Sequence, residues 1–226
     1  MSADSSADGD ALIAEQIAYY RARAPEYNQT FSGSHDPELI AALDAFAPRG
    51  RVLELAAGTG AWTEAVLRHP IESLLAVDAA PEMLVYHERR IGDPRVTRLV
   101  ADLFAWQPPD RYNVVTFAFW LSHVPPALFA SFWGRVRVAL APGGRVFLVD
   151  QDRRGMGAEQ PTGTPEWPTV ERPVPGGGSM TAIKVYYRAA ELGERLRAIG
   201  WDATVREGGD QFLVGEARPR STQPRS

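Results

Sequence analysis

Three acidic residues occupy equivalent places in successive short apolar runs. Glu54 lies within Arg51-Val52-Leu53-Glu54-Leu55, Asp78 follows the run 74–77, and Asp102 comes just after the run 96–100. Ala56-Ala57-Gly58-Thr59-Gly60 follows the first run directly. Gly58 and Gly60 let a backbone turn sharply and approach a ligand without a Cβ in the way. Two cofactor classes use such loops. A nicotinamide dinucleotide asks for G-x-G-x-x-G, whose third glycine lets a helix pack close to the pyrophosphate. Here that third place is Thr63. A carboxylate at Glu54 also sits badly beside a pyrophosphate, and suits a ligand with a cationic amino acid end. S-adenosylmethionine, with an ammonium, a sulfonium and no phosphate, meets that description. Ala56, Gly58 and Gly60 would then border the cofactor, Asp78 could accept from both ribose hydroxyls, and Asp102 could accept from the adenine amino group. Singly, each carboxylate reads equally well as solvated or helix-capping, and the loop as a tight βα turn; the set points to a ligand.

A second group of residues could handle the acceptor of a methyl group. Displacement at a sulfonium already has a good leaving group, so positioning can supply much of the rate. A base is needed only where the acceptor proton has a high pKa. Phe119-Trp120-Leu121-Ser122-His123-Val124-Pro125 lies just past the fourth apolar run. Phe119 is assigned to the cofactor and Trp120 to a wall of the acceptor pocket, although Trp120 could equally be core. His123 could be a base, could orient the acceptor, or could bond a backbone group beside the turn. In Tyr19-Tyr20-Arg21-Ala22-Arg23-Ala24-Pro25-Glu26-Tyr27, Tyr20 and Tyr27 could hydrogen-bond cofactor or acceptor, while Arg21 and Arg23 read as a solvated face. Lys184, in Ala182-Ile183-Lys184-Val185-Tyr186, is conspicuous among apolar neighbours, since a buried ammonium needs a partner. Converging with Arg172, it would suit a carboxylate, phosphate or phosphonate; alternatively it snorkels from a sheet edge. No His/Asp/Glu cluster has ligand spacing, so no metal is implied, though scattered ligands could converge in space.

Positioning these residues takes an alternation of helices and strands. A helix is expected over 11–23, where Ile13, Ile17 and Tyr20 share a face. Asp36-Pro37-Glu38, an N-cap followed by proline at the first helical position, starts another, with Leu39, Ile40, Leu43 and Phe46 on one side. Further helices are expected near 60–69, from Pro81, near 126–140 and over 188–199, the last stopped by Gly200. Strands are expected at 51–55, 74–77, 96–100, 114–118 and 145–149, with a turn at Pro142-Gly143-Gly144. That rhythm implies right-handed βαβ units and a parallel sheet covered on both faces. Such sheets bind ligands beyond the carboxyl ends of their strands, at the switch point, where the three carboxylates fall. The Gly-, Pro- and Thr-rich stretch 151–179 reads as a long loop of the kind that forms lids or binding loops, and 183–187 could be a strand. Residues 201–205 and 211–214 read as a closing antiparallel hairpin with Gly208-Gly209 in its turn. Residues 1–10 and 218–226 read as disordered tails. One domain over 11–217 remains, with a lid at 11–35 and an acceptor-side insertion at 151–187.

With 226 residues and 45% hydrophobic composition, the chain can bury one sizeable core. A net charge of -4 offers no basic field to a nucleic-acid backbone. The absence of cysteine removes disulfides, thiolate metal sites and thiol nucleophiles. The first ten residues lack the basic and apolar regions of a signal peptide, and no run approaches the roughly 18 apolar residues of a membrane span. A soluble, cytoplasmic monomer or homodimer is expected, without nucleic-acid or membrane partners.

Several segments carry a resemblance. Residues 52–60, Ala76-Val77-Asp78-Ala79-Ala80-Pro81-Glu82-Met83-Leu84, Ala101-Asp102-Leu103 and Leu140-Ala141-Pro142-Gly143-Gly144 resemble, in order, the motifs of class I S-adenosylmethionine methyltransferases. The resemblance implies a Rossmann-like fold: a mostly parallel seven-stranded sheet with a C-terminal antiparallel hairpin, helices on both faces, and an N-terminal helix lying over the cofactor. It implies that Met83 packs on adenosine, with core packing as the alternative, and that Leu103 offers its backbone N–H to adenine. Ala56 stands where many members have glycine. The segments 19–27, 121–125, Phe132-Trp133 and Ile183-Lys184-Val185 are similar to small-molecule O-methyltransferases that esterify a phosphonate in antibiotic biosynthesis. There the basic residues of the insertion bind the anionic acceptor, and Arg172 and Lys184 fall at matching places. The surrounding Pro173-Val174-Pro175-Gly176-Gly177-Gly178 departs from that pattern, so a carboxylate or another nucleophile stays open. The expected activity is methyl transfer from S-adenosylmethionine, releasing S-adenosylhomocysteine, to an oxygen of a small anionic metabolite. The alternatives are N- or C-methylation of a neutral metabolite such as a quinone precursor, and a cofactor-binding protein without catalysis.

Overall fold

A computed structural model describes residues 3–27, 36–157 and 159–220. The apolar runs form β1 (Gly50–Leu55), β2 (Ile71–Asp78), β3 (Val96–Val100), β4 (Tyr112–Ala118) and β5 (Leu140–Gln151). Three short strands follow, β6 (Thr162–Gly163), β7 (Pro168–Pro173) and β8 (Ser179–Ile183), and the chain closes with β9 (Trp201–Gly208) and β10 (Phe212–Pro219). Seven of these make one sheet in the order β3-β2-β1-β4-β5-β10-β9. β1 to β5 run parallel, and β10 is antiparallel to both β5 and β9. The chain moves outward from β1 to β3 and then returns to lay β4 on the other side of β1. This reversal is the switch point, and it opens a crevice beyond the ends of β1 and β4.

Among the described residues six α-helices flank the sheet: α1 (Ala3–Arg23), α2 (Pro37–Phe46), α3 (Ala61–Leu67), α4 (Pro81–Arg90), α5 (Phe129–Ala139) and α6 (Ala189–Ala198). Asp36 caps α2 by accepting from the amides of Glu38 and Leu39, with Pro37 in the first turn. Alternation along each strand divides the core between the two faces. Leu53, Val115, Val146 and Leu148 pack with Phe132, Trp133, Leu192, Leu196 and Trp201. Val52, Val114, Phe147 and Val149 pack on the opposite face with Leu39, Leu43, Phe46, Trp62 and Val66. Each such side chain contributes about 1.5–3 kcal/mol on burial. Among the described residues no helix is long and apolar enough to cross a membrane.

Several boundaries differ from expectation. β5 begins at Leu140, so the expected turn at Pro142-Gly143-Gly144 lies within it, and β2 begins at Ile71. Residues 3–10, expected in a disordered tail, belong to α1; Met1 and Ser2 lie outside the described residues. Tertiary docking accounts for this, because Gly9 lies so close to Trp167 that an added Cβ would stand 2.4 Å from the ring. The stretch expected as a long loop contains the antiparallel sheet β6-β7-β8. Its ends are rich in Gly and Pro, but Thr169-Val170 and Thr181-Ala182-Ile183 supply the β-formers. The strand suggested at 183–187 ends at Ile183, so Lys184 stands one residue beyond β8. There the Lys184 amide donates to the Pro168 carbonyl and the Val185 amide to that of Ser122. At the other terminus β10 reaches Pro219, and residues 221–226 of the expected tail lie outside the described residues. So do residues 28–35 of the expected lid.

Candidate active site

The loop after β1 alternates left-handed backbone, with φ of 53° at Ala56, 55° at Gly58 and 85° at Gly60. This turns the Gly58 amide onto Asp78, with N to Oδ2 at 2.8 Å, while the Ala80 amide donates to Oδ1 at 2.8 Å. Burial pushes the Asp78 carboxyl up to about 6, against the pull of the Ala80, Gly58 and Ala79 amides. A Cβ added at Gly58 would meet nothing within 4 Å, so the loop leaves open space there. Gly60 does not line that space; a Cβ there would meet Ile91 at 3.0 Å and His87 at 3.2 Å.

The cavity beside this loop is bordered by Ala56, Gly58, Asp78, Met83, Asp102 and Leu103, then by Phe104, Phe119 and Trp120. Ile13, Gln16, Ile17 and Tyr20 of α1, with Tyr27, cover it. Met83 is buried in a cluster with Ala24, Ala80, Tyr20 and Tyr27. Asp102 Oδ1 accepts from the Phe104 amide at 2.9 Å, which holds the turn after β3. Among the described residues no lysine or arginine borders this cavity. A pyrophosphate would find no counter-charge there. A nucleoside with a cationic end finds the Asp78 carboxylate beside the open face of Gly58, an apolar slot at Met83 and Leu103, and the Asp102 carboxylate. The residues present therefore fit S-adenosylmethionine.

Glu54 lies behind the loop and does not border the cavity. It is buried, and its Oε2 accepts from the Thr63 hydroxyl at 2.7 Å. His87 Nε2 is 3.0 Å from that hydroxyl, and His87 Nδ1 accepts from Arg98 Nε at 3.0 Å. The donors run one way, from Arg98 through His87 and Thr63 to Glu54. Burial pushes the Glu54 carboxyl up to about 8, opposed by Thr63 and aided by Asp78. Burial and Arg98 push His87 down to about 4. Thr63, at the place of a third loop glycine, is thus a link in this chain.

A second cleft of about 630 Å³ meets the first cavity, and both are bordered by Tyr20, Tyr27, Phe119 and His123. Phe119, at a φ of 57°, follows β4 directly and starts the turn that carries His123. His123 Nδ1 stands 2.7 Å from the Ile183 carbonyl, which can only accept, so Nδ1 bears the proton. Its Nε2 therefore accepts from the Tyr20 hydroxyl at 2.8 Å. Burial, with Lys184 and Arg172 nearby, holds His123 well below its ordinary value and so neutral. Of the three readings raised for this histidine, the bond to a backbone group is present, and the residue also borders the cleft.

Arg172 and Lys184 both border the second cleft. Lys184 is buried, with Nζ 2.9 Å from Ser122 Oγ and 3.1 Å from Gln151 Oε1. Burial pushes it down to about 8, opposed by Asp150. Trp120, expected at the acceptor wall, borders the cofactor cavity instead and packs against Phe104. Sequence reasoning missed Gln16, Ser122, Asp150, Gln151, Glu159 and Tyr186, which are single polar residues without local pattern. It also took Arg23 for a solvated residue, whereas Arg23 borders the second cleft and bonds the Tyr19 hydroxyl at 2.6 Å. Among the described residues no group of three or more His, Cys, Asp or Glu gathers to hold a metal.

A family model described as a methyltransferase domain matches residues 52–144. No curated protein sequence matches the chain. Among solved structures, DhpI in complex with SAH is 39% identical with a TM-score of 0.82, covering 95% of this chain and 98% of that one. DhpI in its SAM-HEP complex gives 39% and 0.82, over 92% and 98% of the two chains. An S-adenosylmethionine dependent methyltransferase from Mesorhizobium loti has a TM-score of 0.62 at 20% identity, over 82% of this chain and 100% of that one, a likeness of fold alone. Identity of that order with DhpI, over nearly the whole length, decides the family: the chain belongs to the class I S-adenosylmethionine-dependent methyltransferases.

Proposed function

We propose that the enzyme methylates an oxygen of a small anionic metabolite, a phosphonate or a carboxylate, in secondary metabolism. The observation that carries this is the pair of cations, Arg172 and Lys184, bordering the cleft that joins the cofactor cavity at Tyr20 and His123. DhpI, found with both SAM and HEP, supports a small second ligand. The similarity of residues 19–27 and 121–125 to phosphonate O-methyltransferases supports the anion.

When bound, S-adenosylmethionine supplies a methyl group on a sulfonium, open to attack by a nucleophile. Asp78 would hold the sugar hydroxyls, Asp102 and the Leu103 amide the adenine, and Met83 the apolar face of the nucleoside. Lys184 would draw the acceptor anion to the wall of the cofactor cavity, and Arg172 would fix its rotation through its planar fork. The Tyr20 oxygen, its proton directed at His123 Nε2, would orient the nucleophile. An ionised phosphonate or carboxylate oxygen needs no base, so the neutral His123 would serve by positioning Tyr20. Holding the two reactants in line then supplies much of the rate.

One observation favours a second reading, N- or C-methylation of a neutral metabolite: Arg172 already holds a carboxylate, that of Glu159. Release of S-adenosylhomocysteine from S-adenosylmethionine in the presence of each of a panel of small phosphonates, carboxylates and neutral amines separates the two. Lys184→Met should raise KM for an anionic acceptor about 10–100-fold, the equivalent of a charge-assisted hydrogen bond of about 1.5–3 kcal/mol. Turnover of neutral acceptors that ignores this substitution moves the assignment to the second reading.

A further inference from the structure

The two cations of the acceptor cleft are not in equivalent states. Among the described residues, Lys184 Nζ has the neutral oxygens of Ser122 and Gln151 within hydrogen-bond distance. Arg172 is engaged by a carboxylate in the fork geometry used for an anionic ligand, Nε to Glu159 Oε1 at 2.9 Å and Nη2 to Oε2 at 3.0 Å. The Tyr186 phenol donates to the same Oε2. Glu159, Arg172, Tyr186 and Lys184 all border the cleft. The Glu159 side chain keeps 32% of its surface exposed, so the pair stands at the cleft and can be reached from it. A guanidinium fork, a phenol and an ammonium on one wall are the donors that a small oxyanion would use. Glu159 occupies the first two.

We propose that Glu159 is an internal stand-in for the acceptor's anionic group, holding the Arg172 fork until an acceptor anion displaces it. This rests on the anionic-acceptor reading. A carboxylate tethered beside the fork competes at an effective concentration in the millimolar range. Every anion that uses the fork must first displace it. If Glu159 holds the fork nine-tenths of the time, the apparent dissociation constant rises about tenfold. The device sets a threshold: anions that also reach Lys184 pass it, and common metabolites with one weakly held carboxylate do not. It also keeps the guanidinium paired while the cleft is empty.

Calorimetric titration of the full chain with methylphosphonate and with acetate tests this without turnover. Glu159→Gln should bind both probes about tenfold more tightly than the unaltered protein. The gain should vanish when Arg172→Met is added, because it acts through the fork. Glu159→Asp keeps the charge but is one methylene short of spanning Arg172 and Tyr186, and should shift binding in the same direction; it serves if Glu159→Gln fails to fold. Binding by the unaltered protein that either variant leaves equal or weaker overturns the stand-in and leaves the anionic reading intact. No binding by the unaltered protein or the variants overturns both.

Discussion

Ala56 and Phe119 both adopt left-handed backbone without being glycine, and both border the cofactor cavity. Such a conformation costs an L-residue about 1–2 kcal/mol. It persists where surrounding structure over-determines it, which is common at functional sites. The Phe119 ring is held against Phe212, with centroids 5.7 Å apart. The glycine common at the place of Ala56 in related enzymes has a direct reason in this φ. Titration adds a prediction at the same scale. Asp78 rests near 6 and, in the proposed role, its ionised form would accept from the sugar hydroxyls, so S-adenosylhomocysteine affinity should climb as pH rises through about 6 and then level. Lys184 rests near 8, so its charge, and the affinity for an anionic acceptor, should be lost as pH rises through about 8. A plot of kcat/KM against pH should be bell-shaped between these values, since it reports groups of the free enzyme. Lys184→Met should remove the alkaline fall. A fall that survives the substitution belongs to another group, and Glu54, also near 8, is the first to examine.

Among the elements, α1 carries much of the site. Glu15 Oε1 accepts from the Thr181 amide at 2.8 Å, and Gln16 Oε1 accepts from the Ile183 amide at 3.1 Å. Gln16 Nε2 in turn donates to the His123 carbonyl at 3.4 Å. One buried amide thus ties the covering helix to β8 and to the turn that holds His123. Replacing it by leucine leaves a buried N–H and a buried carbonyl without this partner, a loss of about 1–3 kcal/mol. Gln16→Leu should lower the urea midpoint accordingly and speed hydrogen exchange at the Ile183 amide, while the Gly58 amide on Asp78 stays protected. Equal exchange at Ile183 in both proteins would show that α1 docks without this link. Composition hides this arrangement, because an edge sheet rich in Gly and Pro resembles a loop until a helix covers it.

For the whole molecule, the cofactor cavity sits where β1 and β4 part, under α1, so its walls come from distant parts of the chain. A ligand that bridges them stabilises the folded state by its binding free energy, about 2.7 kcal/mol at a hundred times Kd. In a domain of this size that is a rise in Tm of roughly 5–10 °C. Thermal scans with S-adenosylhomocysteine should show this rise, NAD should give none, and Asp78→Ala should abolish it. A comparable shift with NAD would mean that the absence of basic side chains from the cavity does not exclude a pyrophosphate.

Much of the fold and of the cofactor side was legible in the residue order because it is local. Short continuous apolar runs mark strands buried on both faces, Asp36-Pro37 marks a helix start, and Gly58 and Asp78 lie where a strand gives way to a loop. Parallel pairing then carries adjacent strand ends to one edge. What local pattern could not decide is which face each group meets. Glu54 shares the strand face of Val52, which α3 covers, so its carboxylate meets Thr63 and not the cavity. Asp78, one residue past the last paired position of β1 with β2, turns into the crevice instead. The acceptor side was written least clearly. Tyr20 meets His123 across 103 residues and Lys184 meets Ser122 across 62, contacts that no periodicity encodes. The chain's own order supplied the chemistry and the strand ends; packing of α1 and the small sheet over the switch point decided which groups face the cleft, because only closure of the fold brings them within hydrogen-bond distance.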